Sequence, residues 1–175
     1  MEPPRLLPER CVIICAFIAS GKTWLTTYSK QLGLSGFNVL DLDSSVIPKE
    51  NGQRASNFKE LYLAKVKESI APNTIVLIST HEEIRSALVE EGLDFALVYP
   101  RRDLKGEWIK RLRSRKSPEG LINIVDKDWA SMLGECEEQG GCSHFILERG
   151  QYLSDKIENI MQKMIAGTGP VERKN

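Results

Sequence analysis

The most informative segment of the sequence is CVIICAFIASGKT, residues 11–23. Its first six residues are continuously apolar and include β-branched side chains, a pattern typical of a strand buried on both faces of a parallel sheet. A loop and a helix follow, and the helix is predicted to run from about Gly21 to Leu32. This order of strand, loop and helix is the first unit of an alternating α/β fold.

The rest of the chain repeats the alternation of strands and helices. Apolar runs predict strands at residues 36–41, 74–79, 94–100 and 143–148. Helices are predicted at residues 56–70 (capped by Ser56 or Asn57), 81–91 (capped by Thr80), 103–116, 121–138 and 153–165. We therefore expect a three-layer α/β/α fold with a five-stranded parallel sheet and a ligand site beyond the carboxyl ends of the strands.

The composition excludes several classes of protein. The chain has 175 residues, 24 Lys and Arg against 24 Asp and Glu, and 41% hydrophobic residues. This predicts a single domain over residues 1–175 with a core at 11–166, and argues against disorder and against a protein that coats nucleic acid. No apolar run approaches the roughly 18–20 residues of a membrane helix. We expect no membrane partner, a cytoplasmic location and reduced cysteines, because Cys11 and Cys15 fall in a buried strand.

A phosphate-binding pattern follows the first strand. Residues 16–23 match G-x-x-x-x-G-K-[ST] at the last three positions but have Ala16 in place of the first glycine. A loop that opens a helix presents unpaired N–H groups to phosphate, Lys22 would reach the β- and γ-phosphates, and Thr23 would offer a hydroxyl to Mg²⁺. The expected nucleotide-binding residues are Ala19, Ser20, Gly21, Lys22 and Thr23. The alternative is a simple helix start, although the position directly after a buried strand favours nucleotide binding.

Three further segments have the order and spacing of a known family. They are DLDSS at 41–45, STHEEIR at 79–85 and LVYP at 97–100. With the loop, they resemble P-loop kinases of the nucleoside monophosphate kinase type, and more narrowly the small adenylate-kinase-like proteins of bacteria and phages, over roughly residues 11–165. The resemblance implies ATP and Mg²⁺ as cofactors and a small phosphoryl acceptor, a nucleotide or nucleoside, bound by the segment 44–72.

The loop departs from the family pattern. The family has Gly-Phe-Pro-Gly where this chain has Ala16-Phe17-Ile18-Ala19. Alanine at a position with positive φ costs on the order of 1 kcal/mol. We therefore expect phosphate binding to survive the substitutions more readily than turnover.

Two carboxylates end the second predicted strand. Asp41 and Asp43 lie two residues apart and so on one face. Carboxylates beside a phosphate loop suit Mg²⁺, and the resemblance implies that an Asp here also orients the acceptor. Asp43 is the first candidate for substrate or metal contact and Asp41 the second. The alternative is a polar strand end that caps a turn.

Phosphoryl transfer needs cations around the transferred group. The resemblance places an acceptor-phosphate arginine at Arg85, while His81 is either a substrate contact or a plain surface residue. The segment 101–118 has eight basic side chains against Asp103 and Glu107, and the resemblance identifies it as a lid with arginines at the phosphates. Arg111 and Arg115 are spaced i, i+4 and could enter one site, whereas Arg113 would point elsewhere. Contact with RNA or DNA is the alternative for this segment.

Aromatic side chains and one further arginine complete the candidates. Tyr152 follows the fifth predicted strand, where the resemblance places the adenine ring, although core packing explains it equally well. We expect Trp24, Trp108 and Trp129 to pack in the interior, and Arg54 is a candidate for the acceptor site. The sequence thus predicts an ATP- and Mg²⁺-dependent kinase. The alternatives are a nucleotide-binding regulatory module without turnover and a kinase that acts on nucleic-acid ends.

Overall fold

A computed structural model describes residues 7–43 and 46–166. Its five strands form one parallel sheet in the order β2-β3-β1-β4-β5. They span Cys11–Ala16 (β1), Asn38–Leu42 (β2), Thr74–Ser79 (β3), Ala96–Pro100 (β4) and Ser143–Leu147 (β5). All residues of β1 and β4 are buried, whereas β2 and β5, at the sheet edges, are only partly covered.

Six helices cover the two faces of the sheet, as the three-layer prediction requires. They span Lys22–Thr27 (α1), Phe58–Ser69 (α2), Glu82–Glu90 (α3), Lys105–Ser114 (α4), Glu119–Glu138 (α5) and Leu153–Ala166 (α6), with a short 3-10 helix at Arg102–Leu104. α6 packs on α1 and on the three strands β1, β4 and β5, α2 packs on α3, and α4 packs on α5. No helix in the described ranges is both long and apolar enough to cross a membrane.

Most helix bounds lie within two residues of the prediction, and α1 and α3 show the two departures with a clear physical reason. α1 ends at Thr27 instead of Leu32, and turns follow it. The hydroxyl groups of Thr26 and Thr27 donate to the carbonyl groups four residues earlier, which are the acceptors that helix N–H groups also use. Threonine also has a low helix propensity, so the helix ends here. α3 begins after His81, not Thr80, and no side chain caps it.

The parallel strands bring their carboxyl ends to one edge of the sheet. Ala16, Leu42 and Ser79 end the neighbouring strands β1, β2 and β3, so the segments that follow them converge. Tyr62, a buried residue of α2, joins two of these ends because its hydroxyl donates to the Leu42 carbonyl and accepts from the Ser79 N–H. The candidate site lies at this edge. Cys11 and Cys15 are buried in β1, where the sequence places them, and none of the four cysteines forms a disulfide in the described ranges.

Candidate active site

The loop between β1 and α1 is held by its carbonyl groups. Each of the five consecutive carbonyl oxygens from residue 16 to residue 20 accepts a hydrogen bond from a group outside or at the ends of the loop. The donors are, in order, Lys22 Nζ, Ser20 Oγ, Trp108 Nε1, an Arg111 guanidinium nitrogen and the Leu153 N–H. The bond from Trp108 to Ile18 is 2.8 Å long and the indole is fully buried. The loop is therefore shaped by the protein around it.

Several N–H groups of the loop, unlike its carbonyl groups, have no hydrogen-bond partner among the described residues. Those of Ala19, Gly21, Lys22 and Thr23 make no hydrogen bond to any residue in the described part of the chain. All four residues line a cavity. A concave run of unpartnered N–H groups is the usual backbone arrangement for holding an anion such as phosphate.

The two alanines of the loop have different conformations. Ala16 is the last residue of β1 and is not among the residues with positive φ. Ala19 has φ +58°, so of the two alanines only Ala19 has the expected backbone strain. Gly21 has φ +96°, a conformation that L side chains avoid, and a Cβ atom there would lie 3.3 Å from Tyr152 Cδ1.

Lys22 lies with its ammonium group inside the loop, where Nζ donates to the Ala16 carbonyl at 3.1 Å. Burial lowers the pKa of Lys22, and the nearby carboxylates of Asp41 and Asp43 oppose this shift. The positive charge of Arg115 adds to the lowering. Two cations therefore face the same space beside the unpartnered N–H groups.

Thr23 and Asp41 form a pair next to Lys22. The Thr23 hydroxyl donates to Asp41 Oδ2 at 3.1 Å, and Asp41 Oδ1 is buried without a partner in residues 7–43 and 46–166. Hydroxyl and carboxylate oxygens are the ligands that Mg²⁺ prefers, and this ion commonly takes only one or two from the protein. The pair therefore fits Mg²⁺, although no cluster of three or more His, Cys, Asp or Glu side chains is present among the described residues. Asp43 lines the same cavity and is exposed.

Two adjoining cavities surround the loop. The larger has a volume of about 680 Å³ and extends from the loop to Asp43, His81 and the side of α5 that faces the loop, between residues 121 and 132. The smaller has a volume of about 490 Å³ and lies between the loop, α4 and Tyr152. Ala19, Gly21 and Arg115 line both, so the two form one continuous cleft.

Arg111 is the side chain that joins α4 to the loop. Its guanidinium lies 3.9 Å from the Trp108 ring centre and 3.8 Å from that of Tyr152. It also donates to the carbonyl groups of Ala19 and Gln151. One face of Tyr152 is thus occupied by Arg111, and a base could stack only on another part of this 44% exposed ring. Arg111 is held firmly at the cleft wall, and Arg115 is the less constrained of the two predicted arginines.

The basic segment 101–118 packs against the rest of the fold. α4 packs on α5, and its Trp108 and Leu112 are fully buried. Most cations of the segment pair with carboxylates, and four of these carboxylates lie outside the segment: Arg101 pairs with Glu148, Arg102 with Glu137, Lys105 with Asp126 and Arg113 with Glu119. The charge excess in the sequence is therefore largely neutralised in the fold, and Arg113 points away from the cleft.

Arg85 is placed differently from the prediction. Its side chain is 2% exposed and donates to the Gln139 side chain at 2.8 Å and to the Glu135 carbonyl at 3.2 Å. Arg85 lines neither cavity. Arg85 is therefore not placed as the expected acceptor-phosphate arginine. It connects α3 to the end of α5, because it binds Glu135 and Gln139, which lie about fifty residues further along the chain.

His81 and Arg54 lie at the far end of the larger cavity. The His81 ring packs edge-on against Phe58 and Tyr62, with centres 5.4 and 6.2 Å apart. Burial, with a smaller contribution from Arg54, lowers the pKa of His81 to about 4, and its Nε2 is buried with no partner in the part of the chain that the structure describes. Arg54 lies over Phe58 at 4.3 Å. His81 is therefore neutral at pH 7 and belongs to the site instead of the open surface.

Three kinds of site residue are absent from the sequence-based prediction. Trp108 was expected only to pack, yet it also holds the Ile18 carbonyl. Trp24 was expected in the interior, yet it is 50% exposed and lines the larger cavity. The apolar residues Leu121 and Ile124 of α5 line this cavity as well. The sequence has one signal for these two α5 residues: the apolar stripe of this helix is wider than a single buried face requires.

Comparisons with known proteins support the fold. No protein-family model matches the sequence, and no curated protein matches it. Solved structures do match: a gluconokinase from Sinorhizobium meliloti 1021 has 18% identity and a TM-score of 0.53, with 94% of this chain and 93% of that chain covered. A shikimate kinase from Bacteroides thetaiotaomicron has 15% identity and a TM-score of 0.52, with 88% and 95% covered. The chain therefore shares the three-layer α/β/α fold of these two solved structures.

Proposed function

We propose that this protein is a P-loop kinase that uses ATP and Mg²⁺ to phosphorylate a small acceptor. The observation that carries the proposal is the loop at residues 16–23, whose carbonyl groups are bonded to the protein while four of its N–H groups, those of Ala19, Gly21, Lys22 and Thr23, have no partner among the described residues. The structural likeness to a gluconokinase and a shikimate kinase supports it. The resemblance of the motifs at 41–45 and 79–85 to nucleoside monophosphate kinases favours a nucleotide or nucleoside as the acceptor.

Each residue of the cleft has a role in this proposal. The N–H groups of the loop and Lys22 bind the β- and γ-phosphates, and Arg115 neutralises charge on the transferred group. Thr23 and Asp41 would hold Mg²⁺, which when bound would neutralise charge on the phosphates. Asp43 orients the acceptor hydroxyl and accepts its proton as the new oxygen–phosphorus bond forms and the bond to the leaving ADP breaks.

The smaller cavity is the proposed place for the adenine ring. It adjoins the loop at Gly21 and is walled by Arg111 and Tyr152. Because Arg111 is fixed between Trp108 and Tyr152, its planar guanidinium offers a rigid edge to a base without the need for a moving lid.

The experiment is thermal unfolding with and without ATP and Mg²⁺. We expect a rise in Tm for the natural protein and none for Lys22→Ala. Lys127→Ala, an exposed position on α5 outside both cavities, serves as the control and should behave like the natural protein. Equal stabilisation of Lys22→Ala by ATP would contradict the proposal.

A nucleotide-binding module without turnover is the second candidate. The observation in its favour is Ala19, which adopts φ +58° where the family has glycine. ATP consumption against a panel of nucleosides, nucleoside monophosphates and sugar acids separates the two, because the module binds ATP and consumes none. The basic segment gives little support to a kinase for nucleic-acid ends, since most of its cations are already paired.

A further inference from the structure

One flank of α5 exposes apolar side chains to the larger cavity. Leu121, Ile124 and Met132 follow one another at helical spacing and all line it. Ile124 is 54% exposed, and Trp24, on α1, lines the same cavity and is 50% exposed. These side chains leave apolar surface in contact with water inside a concave site, which is a common sign of a ligand with an apolar face.

Polar groups line another part of the same cavity. The positive charge of Arg54 and the negative charge of Asp43 both act on His81, and all three residues line this cavity. The neutral His81 ring has a buried nitrogen with no partner among the described residues, which a ligand hydroxyl or amine could satisfy. A molecule that fills the cavity therefore meets an apolar surface and hydrogen-bonding groups together.

The balance of charge argues against a doubly charged acceptor. Lys22 and Arg115 stand at the phosphate loop, and Arg54 is the one further cation among the described residues that line the larger cavity. Arg54 lies over Phe58 and has the carboxylate of Asp43 in the same cavity. A phosphate monoester carries nearly two negative charges and is usually held by clustered arginines. Arg85, which could have supplied another, is bound to α5.

We propose that the acceptor is a nucleoside, an uncharged alcohol with a flat ring, and not a nucleoside monophosphate or a sugar acid. This inference rests on the proposed kinase function. The ring lies against Leu121, Ile124 and Met132, and His81 accepts or donates one hydrogen bond. The nucleoside hydroxyl oxygen forms a bond to the γ-phosphorus, the bond from that phosphorus to the oxygen of ADP breaks, and the proton passes to Asp43.

The test is calorimetric titration of the whole protein with thymidine, cytidine and adenosine, each also as its 5′-monophosphate, and with gluconate and shikimate. A saturating non-hydrolysable ATP analogue with Mg²⁺ keeps these ligands out of the nucleotide half. Ile124→Asp places a charge on the apolar flank and should weaken nucleoside binding about tenfold or more. Leu61→Asp, on an exposed helical position outside the cavity, is the matched control.

The outcomes separate this inference from the proposed function. With the ATP analogue bound, nucleoside binding that weakens in Ile124→Asp and persists in Leu61→Asp supports the inference. Failure of the analogue itself to bind contradicts the kinase proposal and is seen separately, in a titration without nucleoside. Tighter binding of a monophosphate or a sugar acid overturns it, as does nucleoside binding that is absent or equal in both variants. Ile124→Ser, a neutral polar substitution, should give a smaller loss in the same direction and guards against an unfolded Ile124→Asp.

Discussion

Gly21→Ala is the substitution that most directly tests the phosphate loop. The position has φ +96°, and the added Cβ would lie 3.3 Å from Tyr152 Cδ1, closer than an ordinary carbon contact. Gly33→Ala is the matched control, because Gly33 has φ +78° and no heavy atom within 4 Å of the position of its Cβ. Both variants thus introduce backbone strain, and only Gly21→Ala also disturbs the loop.

The magnitudes follow from these two geometries. An alanine in the left-handed region costs about 1–2 kcal/mol, and the stiffer unfolded chain returns about 0.4–1 kcal/mol. Each variant should therefore lose about 1 kcal/mol of unfolding free energy. The Tyr152 contact should add less than about 1 kcal/mol at Gly21, because this half-exposed ring can move by a few tenths of an ångström.

Nucleotide affinity should separate the variants more clearly than stability. The N–H of residue 21 is one of the unpartnered groups of the loop, and Tyr152 carries Arg111 on its ring. We expect the Kd for ATP with Mg²⁺ to rise at least tenfold in Gly21→Ala, about 1.4 kcal/mol, and to stay unchanged in Gly33→Ala. Urea denaturation gives the first quantity and calorimetry the second. Equal ATP affinity in the two variants would refute the assignment of the loop.

Three further predictions concern groups around the cleft. Trp108→Phe leaves the Ile18 carbonyl without its donor and should cost about 1–3 kcal/mol in urea denaturation, with weaker ATP binding. Trp129→Phe loses a similar indole bond, to the Arg102 carbonyl outside the loop, keeps an aromatic ring next to Phe17 and should leave ATP binding unchanged. Stability should fall as pH drops from 6.5 to about 4, because the unfolded chain then protonates His81 while the folded chain does not; His81→Asn should flatten this part of a Tm–pH profile. Arg85→Met should destabilise the fold by about 1–3 kcal/mol yet leave the Kd for ATP unchanged.

The bounds of the central strands β1 and β3 could be predicted from the sequence, and the start of the edge strand β2 less well. β1 and β3 have their predicted bounds because each is a continuous apolar run buried on both faces. β2 begins at Asn38, two residues later than predicted, because an edge strand has weaker apolar patterning and its start is fixed by pairing with β3. α1 is shorter than predicted because threonine hydroxyls compete locally for its carbonyl groups.

The residues of the site also differ in how well the sequence predicts their positions. Residues close in sequence to the loop, such as Lys22 and Thr23, were predictable because the motif itself sets their geometry. Asp41, Asp43 and Arg115 could be placed near them from the carboxyl ends of parallel strands and from helical spacing. Arg85 could not, since its partners on α5 are about fifty residues away.

The way the loop is held has a consequence for recognition. Since its carbonyl groups are tethered in advance, the loop loses little conformational entropy when a polyphosphate arrives, and binding is favoured by preorganisation. A cradle of backbone N–H groups contacts only phosphate oxygens, so it cannot distinguish ATP from GTP or any other triphosphate. Discrimination among donor nucleotides must then reside in the few side chains of the smaller cavity, foremost the fixed pair of Arg111 and Tyr152.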